Sequence, residues 1–118
     1  MDKGAHVLDE TERGRVVVTF EAIAQIVGHV LAESYGVVGA GGRRGLTRLR
    51  PRARLTDGVS VREGDEGLQI DVKVVVEYGL KLAEVAATIR ARVAYEVERA
   101  TGLPVETVTV HIDGARRS

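Results

Sequence analysis

Cysteine and tryptophan are absent from this chain of 118 residues, and phenylalanine occurs once. The lack of cysteine excludes disulfides, thiolate nucleophiles and thiolate-bound zinc or iron–sulfur sites, and it agrees with a reducing cytosol. Because aromatic residues make up only 3% of the sequence, aliphatic side chains must form the core. The length fits one domain, which can bury about two thirds of its unfolded surface without covalent cross-links.

Long hydrophobic runs are also missing. The run Val72–Val76 already contains Lys73 and is far shorter than the roughly 20 apolar residues of a membrane helix. The first residues lack the charged-then-apolar layout of a signal peptide. We therefore expect no direct membrane insertion and a cytoplasmic location, with peripheral attachment to the membrane through a partner as the alternative.

The pattern divides the chain into a domain with two short tails. Residues 1–14 are polar and aperiodic, so they are predicted to form a flexible N-terminal tail. Residues 15–114 form a single α+β domain, and residues 115–118 a C-terminal tail. The β-branched run Arg15–Phe20 predicts the first strand, and Thr19 is placed to cap the helix that follows.

Two helices are predicted from apolar residues at helical spacing. The first runs from Phe20 to about Tyr35, and the second follows Gly79. Gly102 and Pro104 end the second, because glycine accepts a left-handed cap and proline cannot continue a helix. The predicted apolar faces are Phe20, Ile23, Ile26, Val27, Val30 and Leu31 in the first helix, and Leu82, Val85, Ala86, Ile89, Val93, Val97 and Ala100 in the second.

Three further strands follow from period-two alternation. Gly58–Arg62 and Leu68–Tyr78 flank a turn and predict an antiparallel hairpin, and Val105–Asp113 is the last strand. The resulting order is βαββαβ. A two-layer sandwich, in which two helices cover one face of a four-stranded mixed sheet, buries every apolar face at once.

Residues 36–57 lack periodicity and predict a long Gly/Arg-rich loop, a type of connection that is often functional or disordered. Its glycines match neither the dinucleotide fingerprint nor the phosphate-binding loop of nucleotide hydrolases. Six arginines without an acid between them form a candidate interaction surface for nucleic acid or an anionic membrane. A solvated loop is the simpler interpretation, because nucleic-acid readers usually add aromatic platforms. The arginines are Arg43, Arg44, Arg48, Arg50, Arg52 and Arg54.

Residues that could carry chemistry do not form a recognisable set. His29 and Glu33 lie four apart and could supply two metal ligands, but no third is evident. His111 falls on the polar side of its strand, and Asp71 with Lys73 fits a surface ion pair. No serine lies in a nucleophile motif. We therefore predict no catalytic residue, no metal site and no cofactor, and a protein that is not an enzyme.

Short motifs in a fixed order give the chain a resemblance to a known family. They extend from Gly14 to Gly114, and their order and spacing are more specific than any one of them. The sequence resembles the alkaline shock, or envelope-stress, proteins of Gram-positive bacteria. The motifs are Gly14–Val18, Ile23–Val30, Gly36-Val37, Gly58–Val61, Ile70–Val72, Tyr78-Gly79, Glu84–Ala86, Thr101–Leu103 and Val108–Val110.

This resemblance implies a non-enzymatic protein of the response to alkaline or envelope stress, with a link to lipid homeostasis in some branches. It also implies self-association as a homo-oligomer, and a small membrane-anchored protein as partner. Nucleic acid is the less favoured partner. Two departures are visible. Many members have Asn where this chain has Thr109, and their middle segment is less basic than Leu46–Leu55.

Overall fold

A computed structural model describes residues 5–11, 14–40 and 55–116 of the protein. A 3-10 turn, Leu55–Gly58, precedes the first strand of the predicted hairpin. The regular elements in chain order are β1 (Ala5–Thr11), β2 (Gly14–Thr19), α1 (Phe20–Ala32), β3 (Val37–Ala40), β4 (Val59–Glu63), β5 (Leu68–Glu77), α2 (Leu82–Thr101) and β6 (Val105–Arg116).

Strand β5 is the centre of a four-stranded sheet. Along one edge it pairs antiparallel with β4 and then with β3. Along the other edge it pairs in parallel with β6 over its whole length. Because both directions occur, the sheet is mixed, as predicted.

The core lies between this sheet and the two helices. Alternate residues of β5 point inward and are almost completely buried, and each such aliphatic side chain contributes about 1.5–3 kcal/mol. Both helices turn their apolar stripe to the same cluster, which confirms the α+β sandwich. The innermost residues are Leu68, Ile70, Val72, Val74 and Val76 of β5, Ile23, Val27, Val30 and Leu31 of α1, and Val85, Ile89, Val93 and Val97 of α2.

The helix ends follow the predicted local chemistry. Thr19 Oγ1 accepts a hydrogen bond from the Ala22 N–H at 3.0 Å, a cap that stabilises a helix by about 1 kcal/mol. Gly102 ends α2 in the left-handed conformation, with φ of 78°. Its N–H donates to the Glu98 carbonyl at 2.8 Å. Both predicted caps are confirmed.

The N-terminal segment differs from its prediction. Residues Ala5–Thr11 form β1, which pairs antiparallel with β2 from Ala5 opposite Thr19 to Thr11 opposite Gly14. The prediction of a tail without regular structure is therefore wrong for these residues. Strand pairing satisfies backbone N–H and C=O groups and does not require an apolar period. As a result, β2 belongs to a separate two-stranded ribbon and not to the four-stranded sheet.

The predicted loop 36–57 also contains regular structure at its ends. Val37–Ala40 form β3, which takes the remaining place in the four-stranded sheet, and the 3-10 turn lies at the other end. A four-residue strand that contains a glycine gives no readable alternation. In the structure Gly39 lies opposite Val75, an apolar residue at an outward position of β5.

Candidate interaction surfaces

The six arginines of the predicted interaction surface lie outside the described residues. They are Arg43, Arg44, Arg48, Arg50, Arg52 and Arg54, in a segment that leaves β3 and returns ahead of β4. Both strands line the edge of β5 opposite β6. Binding of nucleic acid or an anionic surface by these arginines therefore stays a prediction from sequence.

His29 and Glu33, the two predicted candidates for metal ligands, form an ion pair on the surface. His29 Nε2 lies 3.1 Å from Glu33 Oε2, one helical turn away, and Arg92 approaches the other oxygen of Glu33 at 3.5 Å. Across residues 5–11, 14–40 and 55–116, no group of three or more His, Cys, Asp or Glu could hold a metal ion. The carboxylate of Glu33 contacts His29 on its own helix and Arg92 on α2.

The spacing of Arg92 and Glu96 on α2 predicts an ion pair one helical turn long, but the two residues have other partners. Arg92 contacts Glu33 of α1, and Glu96 instead accepts a hydrogen bond from Arg99 at 2.8 Å. The expected pair is therefore wrong, because Arg92 is drawn to the carboxylate on the facing helix. The hydrogen bond with Glu96 and its negative charge raise the pKa of Arg99, which stays protonated.

The face of the sheet away from the helices carries a polar network. Arg62 Nη1 donates to Asp71 Oδ2 at 2.6 Å, and His111 Nε2 lies 3.9 Å from Asp71 Oδ1. Asp71 therefore pairs with Arg62, a diagonal neighbour on β4 that lies opposite Gln69, and not with Lys73 as predicted. Such partly exposed pairs contribute about 0–1 kcal/mol.

Exposed apolar side chains gather at one end of β5. The Glu77 N–H donates to the Gly36 carbonyl at 2.7 Å and continues the antiparallel pairing of Val37 with Val76, so Tyr35 and Tyr78 follow next to each other beyond that bond. Their exposed fractions are 78% and 63%. Val38 in β3, three residues after Tyr35, and Leu82 at the start of α2, four residues after Tyr78, are also exposed. We call these four residues, Tyr35, Val38, Tyr78 and Leu82, the tyrosine end.

Two of these residues were predicted to be buried. Tyr78 continues the alternation of β5, and Leu82 continues the stripe of α2, but β5 ends at Glu77 and Leu82 is the first residue of its helix. Both therefore lie beyond the region that the two layers cover. Ala100, in the last turn of α2, was also predicted on the apolar face and is exposed, although the next residue, Thr101, is buried.

Strand β6 borders an open groove along its outer edge. The pairing with β5 skips Glu106 and Asp113, so an acidic bulge lies at each end of the regular run Thr107–Ile112. The carboxylate of Glu106 accepts hydrogen bonds from the Glu66 N–H and from Gln69 Nε2. Between β6 and α2 lies a groove of about 350 Å³. Its lining residues are Ala87, Arg90, Ala91, Ala94, Val105, Glu106, Thr107 and Val108.

The sequence predicted strand β6 but not its two bulges or the groove along its outer edge. The run was predicted to stop at Asp113, whereas the strand continues to Arg116. The signal that could have revealed the bulge is the loss of alternation at Asp113-Gly114, since a bulge adds one extra residue to a strand.

None of the described helices is long and apolar enough to cross a membrane.

Comparison with known proteins assigns the chain to a family. Residues 8–117 match the family model of the alkaline shock proteins, which is described as having a cell envelope-related function. The chain belongs to the alkaline shock protein family. The predicted membership is thereby confirmed, and a cell envelope-related function follows from it.

Relatives in two bacteria align over nearly the whole chain. The uncharacterized protein YloU of Bacillus subtilis is 33% identical over 110 residues, which cover 90% of this chain and 92% of that protein. The uncharacterized protein Spy1614 of Streptococcus pyogenes is 30% identical over 110 residues, with coverage of 90% and 91%. Both support the family assignment.

Solved structures with a similar fold are variants of the MamM CTD. One has a TM-score of 0.51 at 14% identity and covers 82% of this chain and 96% of its own. Another, a nickel form, has a TM-score of 0.50 at 16% identity and covers 81% and 98%. At this level of identity the similarity shows the fold alone.

Proposed function

We propose that this alkaline shock family protein is a non-enzymatic component of the envelope stress response that acts by binding other proteins. In this proposal the tyrosine end holds a membrane-anchored partner, which keeps the protein near the membrane. Copies of the protein also bind one another. No residue of the chain has a catalytic role in the proposal.

The distribution of functional groups supports this proposal. Several of the described acids and histidines lie in ion pairs that are at least partly exposed, such as His29–Glu33 and Asp71–His111. A catalytic site would bring such groups together in a cleft with a bound substrate. The envelope-related function of the family does not require a reaction at this chain.

The tyrosine end is the observation that carries the proposal. Tyrosine offers a large contact area and a hydroxyl group at little entropic cost, and it is enriched at protein interfaces. Two of the three tyrosines of the chain lie together at this end with more than half of each side chain exposed. Val38 and Leu82 add exposed aliphatic surface. This surface suits the soluble segment of a partner that is anchored in the membrane.

The test is capture of partners from cells by the tagged protein after brief chemical cross-linking, with identification by mass spectrometry. We expect a membrane protein with a short soluble segment among the captured proteins. The double substitution Tyr35→Ala and Tyr78→Ala should reduce its recovery about tenfold or more, because truncation of two central aromatic anchors costs more than about 1.4 kcal/mol.

A matched control is available on α2. Tyr95 is 63% exposed, the same fraction as Tyr78, but it lies away from the tyrosine end. Tyr95→Ala should leave the capture unchanged. Equal loss in both variants, or capture that is indifferent to Tyr35 and Tyr78, would contradict the assignment of this surface.

A further inference from the structure

We propose that the outer edge of β6 is the self-association surface, where β6 of a second copy adds antiparallel about a two-fold axis. The inference deepens the proposed function and rests on it, since it names the surface through which copies bind one another. The resulting dimer would contain one continuous sheet made from the two four-stranded sheets.

The edge itself is suited to strand addition. Within the described ranges, β6 pairs with β5 and with no other strand, so its outer N–H and C=O groups face away from the sheet. Five of the six residues in the run Thr107–Ile112 are β-branched, and such residues favour strands. An unpaired edge of this kind is a template for another strand, and the acidic bulges at Glu106 and Asp113 limit the template to the run between them.

The neighbouring helix leaves room for the added strand. The groove between α2 and β6 is lined on the helix side mainly by Ala87, Ala91 and Ala94. An added strand would lie about 4.8 Å beyond β6, beneath this stretch of small side chains. The inward side chain of the added strand that lies opposite Val108 would then enter the groove and lose contact with water.

The pattern of β6 fits itself in one register. Opposite residues of an antiparallel pair share a face; in β6 the inward residues are Val108, Val110 and Ile112, which lie opposite buried residues of β5. When Val110 lies opposite its own copy, Val108 lies opposite Ile112 and every inward residue meets an aliphatic one. In the two neighbouring registers that keep the same faces together, Ile112 lies opposite Glu106 or Val108 lies opposite Gly114.

Charge and symmetry favour the antiparallel arrangement. In this register Thr109 lies opposite His111, and Asp113 lies opposite Thr107, so no like charges face one another. Parallel addition would place each acidic bulge beside its own copy, an unfavourable cross-strand pairing. The two-fold arrangement also closes after two copies, whereas a head-to-tail contact would continue into a filament.

The first test blocks the groove. Ala91 is exposed on α2, so Ala91→Glu should fold normally while it places a charge where the added strand must lie. By sedimentation velocity, we expect the unmodified chain to be a dimer and the variant to dissociate with a Kd raised about tenfold or more. Thr88→Glu is the matched control, because Thr88 is also exposed, lies on the same helix and does not line the groove. A dimer equally stable in Ala91→Glu overturns the proposal.

The second test reads the register. The chain has no cysteine, so Thr109→Cys and His111→Cys each carry a single thiol on the exposed face. Under mild oxidation a mixture of the two variants should form a disulfide between Cys at one position and Cys at the other. Either variant alone should cross-link far less, since its thiols lie on a diagonal of about 7–8 Å. Equal cross-linking in all three samples contradicts this register.

The results separate this inference from the proposed function. A monomer that still captures a membrane protein through the tyrosine end overturns the β6 dimer and leaves the proposed function in place. A cross-link from Thr109→Cys to a different protein also overturns it, because the edge would then hold a partner's strand. A dimer that captures nothing through the tyrosine end supports the β6 surface and contradicts the proposed partner.

Discussion

Replacement of Ile89 by alanine should lower the free energy of unfolding by about 2–5 kcal/mol. Ile89 is completely buried on α2 and belongs to the cluster between the helices and the sheet. The substitution removes its transfer free energy and leaves a cavity that the surrounding aliphatic side chains fill only in part. The measurement is urea unfolding followed by circular dichroism, at several protein concentrations because association stabilises the folded state.

The neighbouring residue supplies the comparison for this prediction. Thr88 is exposed, and Thr88→Ala should change stability by no more than about 0.5 kcal/mol. If Ile89→Ala costs less than about 1 kcal/mol, the helix is not packed on the sheet as described. The two-layer arrangement would then have to be reconsidered.

Gly67→Ala is the second substitution with a large expected effect, about 3 kcal/mol of lost stability. Gly67 has a φ of 147°, and a Cβ at this position would lie 2.7 Å from the backbone carbonyl oxygen of Pro104. Conformations reserved for glycine cost about 1–3 kcal/mol in other residues. The clash adds to this cost, since the backbone that connects α2 to β6 cannot simply rotate away. Thermal and urea unfolding both measure the loss.

A substitution at Gly79 separates the effect of backbone strain from that of the steric clash. This glycine has a φ of 97°, but nothing lies within 4 Å of an added Cβ, so Gly79→Ala should cost only about 1–2 kcal/mol from backbone strain. Equal losses at Gly67 and Gly79 would contradict the close approach of the β4–β5 turn to Pro104.

The core could be read from the sequence because burial imposes a period. The alternation of β5 predicted which of its side chains are buried, and this prediction is confirmed for Leu68 through Val76. The stripe of α1 and the caps at Thr19 and Gly102 are confirmed as well. These features depend on neighbouring residues alone, so a single sequence contains the information.

The ribbon and the short strand could not be read in this way. Strands β1 and β3 are held by backbone pairing with other segments, and backbone groups are the same in every sequence. The tyrosine end depends on where the layers stop, which is a property of the assembled fold. The outer edge of β6 depends on which side of β5 each strand occupies, and alternation carries no information about strand order.

The two surfaces lie in different parts of the molecule and could act together. The tyrosine end lies where β3 and the end of β5 meet, whereas the groove opens between α2 and the first residues of β6. A dimer formed through β6 would therefore present two tyrosine ends. Two weak contacts with the membrane partner would strengthen one another through effective concentration.

Rescue of a deletion strain under alkaline or cell-wall stress shows whether the protein acts through its two binding surfaces. Variants that change an interaction surface, Tyr35→Ala with Tyr78→Ala, or Ala91→Glu, should fail to restore survival at normal protein levels. Asp71→Asn should restore it fully, although it removes the carboxylate that contacts both Arg62 and His111. Full rescue by the surface variants together with loss of rescue by Asp71→Asn would contradict a role through binding and point to chemistry on the open face of the sheet.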